Sequence, residues 1–173
     1  MVSKKNRLYI ALYPSGITGN EERRYHWGFL VGPKIENKPK VSGRRFHVKN
    51  NPFHNWIYEE MDLPNVRGTV SLLARILIAK IEDDERLVQI FRETPVVQGD
   101  ANWRCRTWIS DALARIQKDG GAVGTAQLDW RIIEPLARKY VAEKTAAGRY
   151  AGSVSMLLPK PTWDAIEGRE TVP

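Results

Sequence analysis

The hydrophobic period of this chain changes partway along, and few architectures accommodate such a change. Up to about residue 81, short apolar and aromatic stretches are bounded by Gly, Pro and Asn clusters: Arg7–Tyr13, Tyr25–Val31, Arg44–Lys49 and Asn55–Glu60. Such runs, rich in aromatic and β-branched residues, predict strands. Beyond that point the spacing lengthens. Asp83–Thr94, the segment from about Trp103 to Lys118, and Leu128–Lys144 each carry an apolar stripe at offsets of three and four. Strands first and helices afterwards predict an α+β fold, with an antiparallel sheet packed against helices.

Boundaries follow from turn and cap chemistry. Gly32 to Gly43 is polar and contains Pro33 and Pro39, which predicts a long-looped hairpin between Tyr25–Val31 and Arg44–Lys49. Leu72–Ile81 fits either a buried strand or the start of a helix running into Asp83–Thr94, and the strand is the reading adopted. Asp83 or Asp84 is positioned to cap the first helix, Pro95 closes it, and Gly120-Gly121 ends the second. Pro135 is expected to kink or split the third. Ser153–Leu158 is the last strand candidate, and the tail from Pro159 is expected to be irregular. At 173 residues the chain suits one domain spanning 1–173. No apolar run approaches the ~20 residues that span a bilayer, and Leu8 to Tyr13 is too short for a signal-peptide core.

Cys105 is the lone cysteine. It excludes an internal disulfide and a cysteine-based zinc cluster, and it fits a reducing, cytoplasmic setting. It stands in Asn102-Trp103-Arg104-Cys105-Arg106-Thr107-Trp108, where a turn-like segment becomes a helix, and it shares a face with Trp108, Ile109, Ala112, Leu113 and Ile116. A helix N-terminus favours negative charge, and Arg104 and Arg106 flank the thiol, so a low-pKa thiolate is expected. A free cysteine on an apolar face is also an ordinary packing residue.

Two histidines precede it in strand-like stretches. The period of two puts His26, Gly28 and Leu30 on one face and Tyr25, Trp27, Phe29 and Val31 on the other, with Gly28 leaving room beside the imidazole. His47 shares its face with Arg45 and Lys49, where it is either a surface residue or the group that orients His26. His54 reads as a loop residue and the spare candidate for that role. Three histidines also raise a metal, but neither HExxH nor His-x-His spacing is present and strand carboxylates are not evident, so no metal and no cofactor is expected.

The basic excess is N-terminal: residues 1–50 hold 11 Lys/Arg against 3 Asp/Glu, and the rest hold 16 against 17. Arg44, Arg45, Arg104 and Arg106 are the candidate substrate-binding cations, and Arg23, Arg24, Arg44 and Arg45 are expected along one surface near the site, where the alternative is a solvated face that keeps the protein soluble. They suit an anionic donor such as a lipid phosphate, an aminoacyl ester on tRNA or an acidic peptide. The rival is a non-catalytic module that binds RNA, membrane or protein through the same surface.

The segment Tyr25-His26-Trp27-Gly28-Phe29-Leu30-Val31-Gly32, followed by Phe46-His47 and by a helix opening at Cys105, resembles the circularly permuted papain-like proteins. Within them it is most similar to the lecithin:retinol acyltransferase and H-Ras-like suppressor group and their NlpC-like relatives. The resemblance covers about residues 25 to 115. It implies a sheet backed by a helix that starts at the nucleophilic cysteine, with Cys105 as nucleophile, His26 as base and His47 as orienter, in acyl transfer or hydrolysis of an ester or amide. It also implies that Gln98, seven residues before Cys105, donates to a developing oxyanion. The hairpin loop is longer than in the lipid-acting members, and Trp103-Arg104 precedes the cysteine where those members carry Asn.

Overall fold

The computed structural model describes residues 5–53, 55–153 and 155–173. Its first half is a meander of four strands, β1 (Arg7–Pro14), β2 (Tyr25–Gly32), β3 (Gly43–Asn50) and β4 (Trp56–Leu63), followed by β5 (Ala74–Ile81). Helices α1 (Asp84–Glu93) and α2 (Cys105–Asp119) come next, then β6 (Val123–Ala126), α3 (Trp130–Ala146) and two short strands, β7 (Thr162–Asp164) and β8 (Arg169–Val172). The sheet order is β4-β3-β2-β1-β5-β7-β8, with β6 also paired to β5. Every pairing is antiparallel except β5 with β7. The chain is therefore α+β, with a mostly antiparallel sheet and three helices among the described residues. None of those helices is long and apolar enough to cross a membrane.

Side-chain alternation gives the sheet two different faces. Leu8, Ile10, Leu12, Trp27, Phe29, Val31 and Phe46 point to one side and bury against all three helices. Trp108 of α2 sits at the centre of that layer, fully buried, with Phe29, Tyr58 and Phe91 around its ring. The other face carries a smaller cluster of Tyr9, Ala11, Tyr13 and Leu30, covered by Leu63 at the end of β4 and by Val66 and Leu72 from the connection between β4 and β5. Gly43 permits that cover, because a Cβ there would lie 2.5 Å from the Val31 carbonyl oxygen and 2.6 Å from the Val66 Cβ.

Helix ends are set by local chemistry. The Asp83 carboxylate accepts from the Arg86 N–H at 3.0 Å to start α1, and Asp129 accepts from the Arg131 N–H at 3.0 Å to start α3. The N–H of Arg104 donates to the Thr107 hydroxyl at the start of α2, and Gly120, at φ 73°, ends it.

Three expectations are corrected. Pro135 does not split α3, because Ile133 on one side of it and Ala137, Tyr140 and Val141 on the other are all held in the core; those contacts outweigh one missing backbone bond. Ser153–Leu158 is not a strand: Ser155–Leu157 forms a 3-10 turn, and Leu157 and Leu158 face solvent. The tail beyond Pro159 is ordered rather than irregular, since β7 and β8 complete the edge that β5 would otherwise leave unpaired. Arg75 on β5, fully buried, is clamped there by both Glu36 oxygens at 2.8 Å and donates to the Thr162 hydroxyl at 3.0 Å.

Trp108 tests this account of the core. Trp108→Ala should lower unfolding free energy by about 3–5 kcal/mol, measured by urea denaturation, while a loss under about 1 kcal/mol would show that the helix layer does not depend on it.

Candidate active site

The β2–β3 ladder is short. It pairs Phe29, Leu30 and Val31 with Phe46, Arg45 and Arg44 and goes no further toward the start of β2. His26 and Trp27 thus lie beyond the last paired residues of the two strands, past Gly28, where the backbones are still close. The N-terminus of α2 arrives at this opening from the helix side, where the backbones of Trp27, Arg106 and Cys105 favour negative charge on the Cys105 sulfur. His26 and His47 occupy the same level from the opposite face. Cys105, His26 and His47 all line one cavity of about 620 Å³, bounded also by Tyr13, Arg45 and Trp56.

The two histidines belong to a hydrogen-bonded chain. His26 Nε2 lies 2.8 Å from His47 Nδ1, and His47 Nε2 lies 2.9 Å from Glu59 Oε1. Lys49 Nζ holds the other Glu59 oxygen at 2.6 Å. Gly28 makes room here, though for His47 rather than for a group beside His26: a Cβ at 28 would stand 3.3 Å from the His47 Cβ.

Charge gives the chain its polarity. Burial pushes the Glu59 carboxyl up, but hydrogen bonds from His47 and Lys49 outweigh it, and the group lies below the usual carboxylate range. An ionised carboxylate can only accept, so His47 donates from Nε2. Burial lowers the His47 pKa despite Glu59, which leaves the ring neutral with Nδ1 as an acceptor. His26 then donates from Nε2 and keeps a lone pair on Nδ1. Its own pKa is brought down to about 3 by burial, then by His47 and Arg45, so at neutral pH His26 is an uncharged base.

The cysteine does not carry the low pKa expected of it. Cys105 is 7% exposed, and burial pushes its thiol above the ordinary value despite the three N–H groups and Arg104. The flanking arginines are neutralised as well. Arg104 pairs with Glu22 at 2.7 Å, and Arg106 pairs with Glu134.

The remaining candidates divide. Arg45 and Arg23 reach the cavity. Arg44 turns away to Glu60 and Asp62 at 3.2 and 3.4 Å, and Arg24 pairs with Glu21 at 3.3 Å, so the expected single basic surface does not form. Gln98 is not placed to serve an oxyanion, because its amide donates to the Trp56 carbonyl at 2.6 Å and accepts from the Trp56 N–H at 2.9 Å. That double bond ties the segment before α2 to the start of β4. His54 lies outside the described residues.

Glu59 was missed in the sequence, where strand carboxylates were not evident. The signal for it is register: β3 and β4 form a hairpin in which His47 is directly opposite Glu59. These side chains form a line rather than converge on a point, and no group of three or more His, Cys, Asp or Glu among the described residues is arranged to hold a metal.

The chain belongs to a family of unknown function (DUF6914), whose model matches residues 5–172. No curated protein and no solved structure matches it.

Two pH dependences follow from the burial. A thiol with raised pKa has less thiolate at any given pH, so iodoacetamide should label Cys105 slowly at pH 6 and accelerate only toward and beyond pH 9, the ordinary value. Fast labelling at pH 6 would overturn that assignment. For the imidazoles, the folded chain refuses protons that the unfolded chain accepts below about pH 6.5. Stability is therefore fully present above that pH and declines toward about 3 as His26 is forced to charge. Each such group contributes up to about 1.4 kcal/mol per pH unit. His26→Asn should show a shallower decline in urea denaturation across this window, and parallel curves would contradict it.

Proposed function

We propose that the chain is a cysteine acyl hydrolase or acyltransferase that passes an ester or amide acyl group through a thioester on Cys105, on a permuted papain-like arrangement of sheet and helix. One observation carries the reading: a thiol in the first turn of a helix and the end of a His26–His47–Glu59 chain open into the same cavity.

Because thiol and imidazole both rest uncharged, proton transfer accompanies attack. His26 Nδ1 takes the Sγ proton as sulfur bonds to the carbonyl carbon, and the carbonyl electron pair moves onto oxygen. The imidazolium so formed strengthens its hydrogen bond to His47, whose other nitrogen is anchored on the Glu59 charge. When the tetrahedral species collapses, the bond to the leaving oxygen or nitrogen breaks, and that atom takes the proton from His26. Water or an amine then gives a proton to His26 and attacks the thioester carbon. The C–S bond breaks and the proton returns to sulfur.

A non-catalytic reading is favoured by one observation, the burial of Cys105 in the apolar layer. The two separate on a single reagent. Incubation with p-nitrophenyl acetate should leave an acetyl group on Cys105, detected by mass spectrometry, and none in Cys105→Ala. His26→Ala should slow acylation by about 10²–10⁴-fold. Glu59→Gln should slow it by a smaller factor with little change in KM, since an amide presents donor or acceptor to His47 alike and no longer dictates the tautomer. An unmodified Cys105 across the whole pH range would leave the binding module.

A further inference from the structure

We propose that the Tyr13–Arg45 corner of the cavity binds an oxyanion carried by the substrate, a carboxylate or a phosphate, beside the His26 ring. The word substrate rests on the catalytic reading above; the binding itself does not.

Tyr13 is 4% exposed and lines the cavity; its hydroxyl lies beside the Arg45 guanidinium, a donor, and has no acceptor for its own proton among the described residues. Arg45 Nε is buried and unpartnered in the same way. The guanidinium carbon stands 5.6 Å from the Tyr13 ring centroid, and that ring is 5.8 Å from the His26 ring. Buried donors without an acceptor are costly and uncommon, so two at one corner of a cavity mark a place shaped for an acceptor.

Charge points the same way. The cavity is lined by five cationic side chains and two carboxylates. Arg104 and Arg106 are committed to Glu22 and Glu134, and Lys49 to Glu59. Arg23 makes no ion pair among the described residues, and Arg45 is the cation left at depth. Its Nη2 touches the weak acceptor Met61 Sδ at 3.3 Å. It lies 4.0 Å from Glu59 Oε1, the oxygen already held by His47 at 2.9 Å. A planar guanidinium fork with a phenolic O–H beside it matches two oxygens of one carboxylate or phosphate. Burial raises the Tyr13 pKa, which keeps that hydroxyl a donor.

The test is calorimetric titration of the intact chain with succinate and, separately, inorganic phosphate at constant ionic strength. Wild type should bind one of them saturably. Arg45→Gln should weaken it by about ten- to a hundredfold, as expected for a hydrogen bond to a charged group, and Tyr13→Phe, which keeps the ring in place, by several-fold. Arg115→Gln, the same charge change on the exposed side of α2, should bind as wild type does. The anion that binds should also slow alkylation of Cys105 by neutral iodoacetamide. Succinate as the ligand indicates a carboxylate-bearing substrate, and phosphate a phosphorylated one. Binding of neither anion, or equal binding by wild type and Arg45→Gln, would overturn the proposal. Arg45-dependent binding with an inert Cys105 would keep it and remove the catalytic reading. A thioester on Cys105 without such binding would do the reverse.

Discussion

The early end of the β2–β3 ladder is the constraint on which the site depends. A continuous ladder would place His26 and Cys105 on opposite sides of a closed sheet, because alternation sends His26 away from the helices while Cys105 arrives with them. The ladder ends at Phe29 and Phe46, and the cavity lined by His26, His47 and Cys105 lies beyond that end. The Trp27 backbone there favours the Cys105 thiolate, against the larger effect of burial. One short stretch of pairing therefore leaves the space in which two imidazoles stack edge to face with centroids 5.0 Å apart. The apolar layer below, centred on Trp108 and Phe29, holds α2 at the depth this requires.

The chain of polar groups beside the cavity works through direction rather than through charge at the thiol. Glu59 is held by Lys49 and His47, and each bond fixes which atom of the next group can donate. A neutral imidazole has one donor and one acceptor, so one ionised carboxylate at the end of the line determines the lone pair two residues away. Reversal would require His47 to bring an acceptor nitrogen against a carboxylate, which repels it. Arg45 and Lys49 add positive charge around the rings and keep them neutral.

Much of this was legible in the sequence where a signal was local. The four early strands match their short aromatic and β-branched runs closely, and α1 and α2 match their end signals, because turn and cap chemistry act within a few residues. The positions of His26, His47 and Cys105 on strand, strand and helix start follow from the same patterns. What was not legible depends on partners far along the chain. β7 and β8 have three and four residues, too few to show alternation, and form because β5 offers an edge. Arg104 and Arg106 read as free cations beside the thiol because Glu22 and Glu134 lie 82 and 28 positions away. Glu59 sat inside a recognised strand, but its meaning depended on the register that sets it against His47. Gln98 had the right distance from the cysteine in sequence and the wrong partner in space, since Trp56 takes both ends of its amide.

A resting site with an uncharged thiol and an uncharged imidazole places a particular demand on whatever it acts upon. A preformed thiolate and imidazolium would attract water and reagents at all times, whereas here burial disfavours both ions until a carbonyl is in place to accept the charge. On the proposed acyl-transfer reading, the energy for separating charge comes from bound substrate. On the proposals above, an anionic group seated on Arg45 would supply part of it, by offsetting a positive charge that, after burial and His47, helps depress the His26 pKa. On these two proposals, binding at Tyr13 and Arg45 and proton transfer at His26 would be coupled through a few ångströms of electrostatics: a substrate without the negative group would meet a weaker base as well as a looser grip.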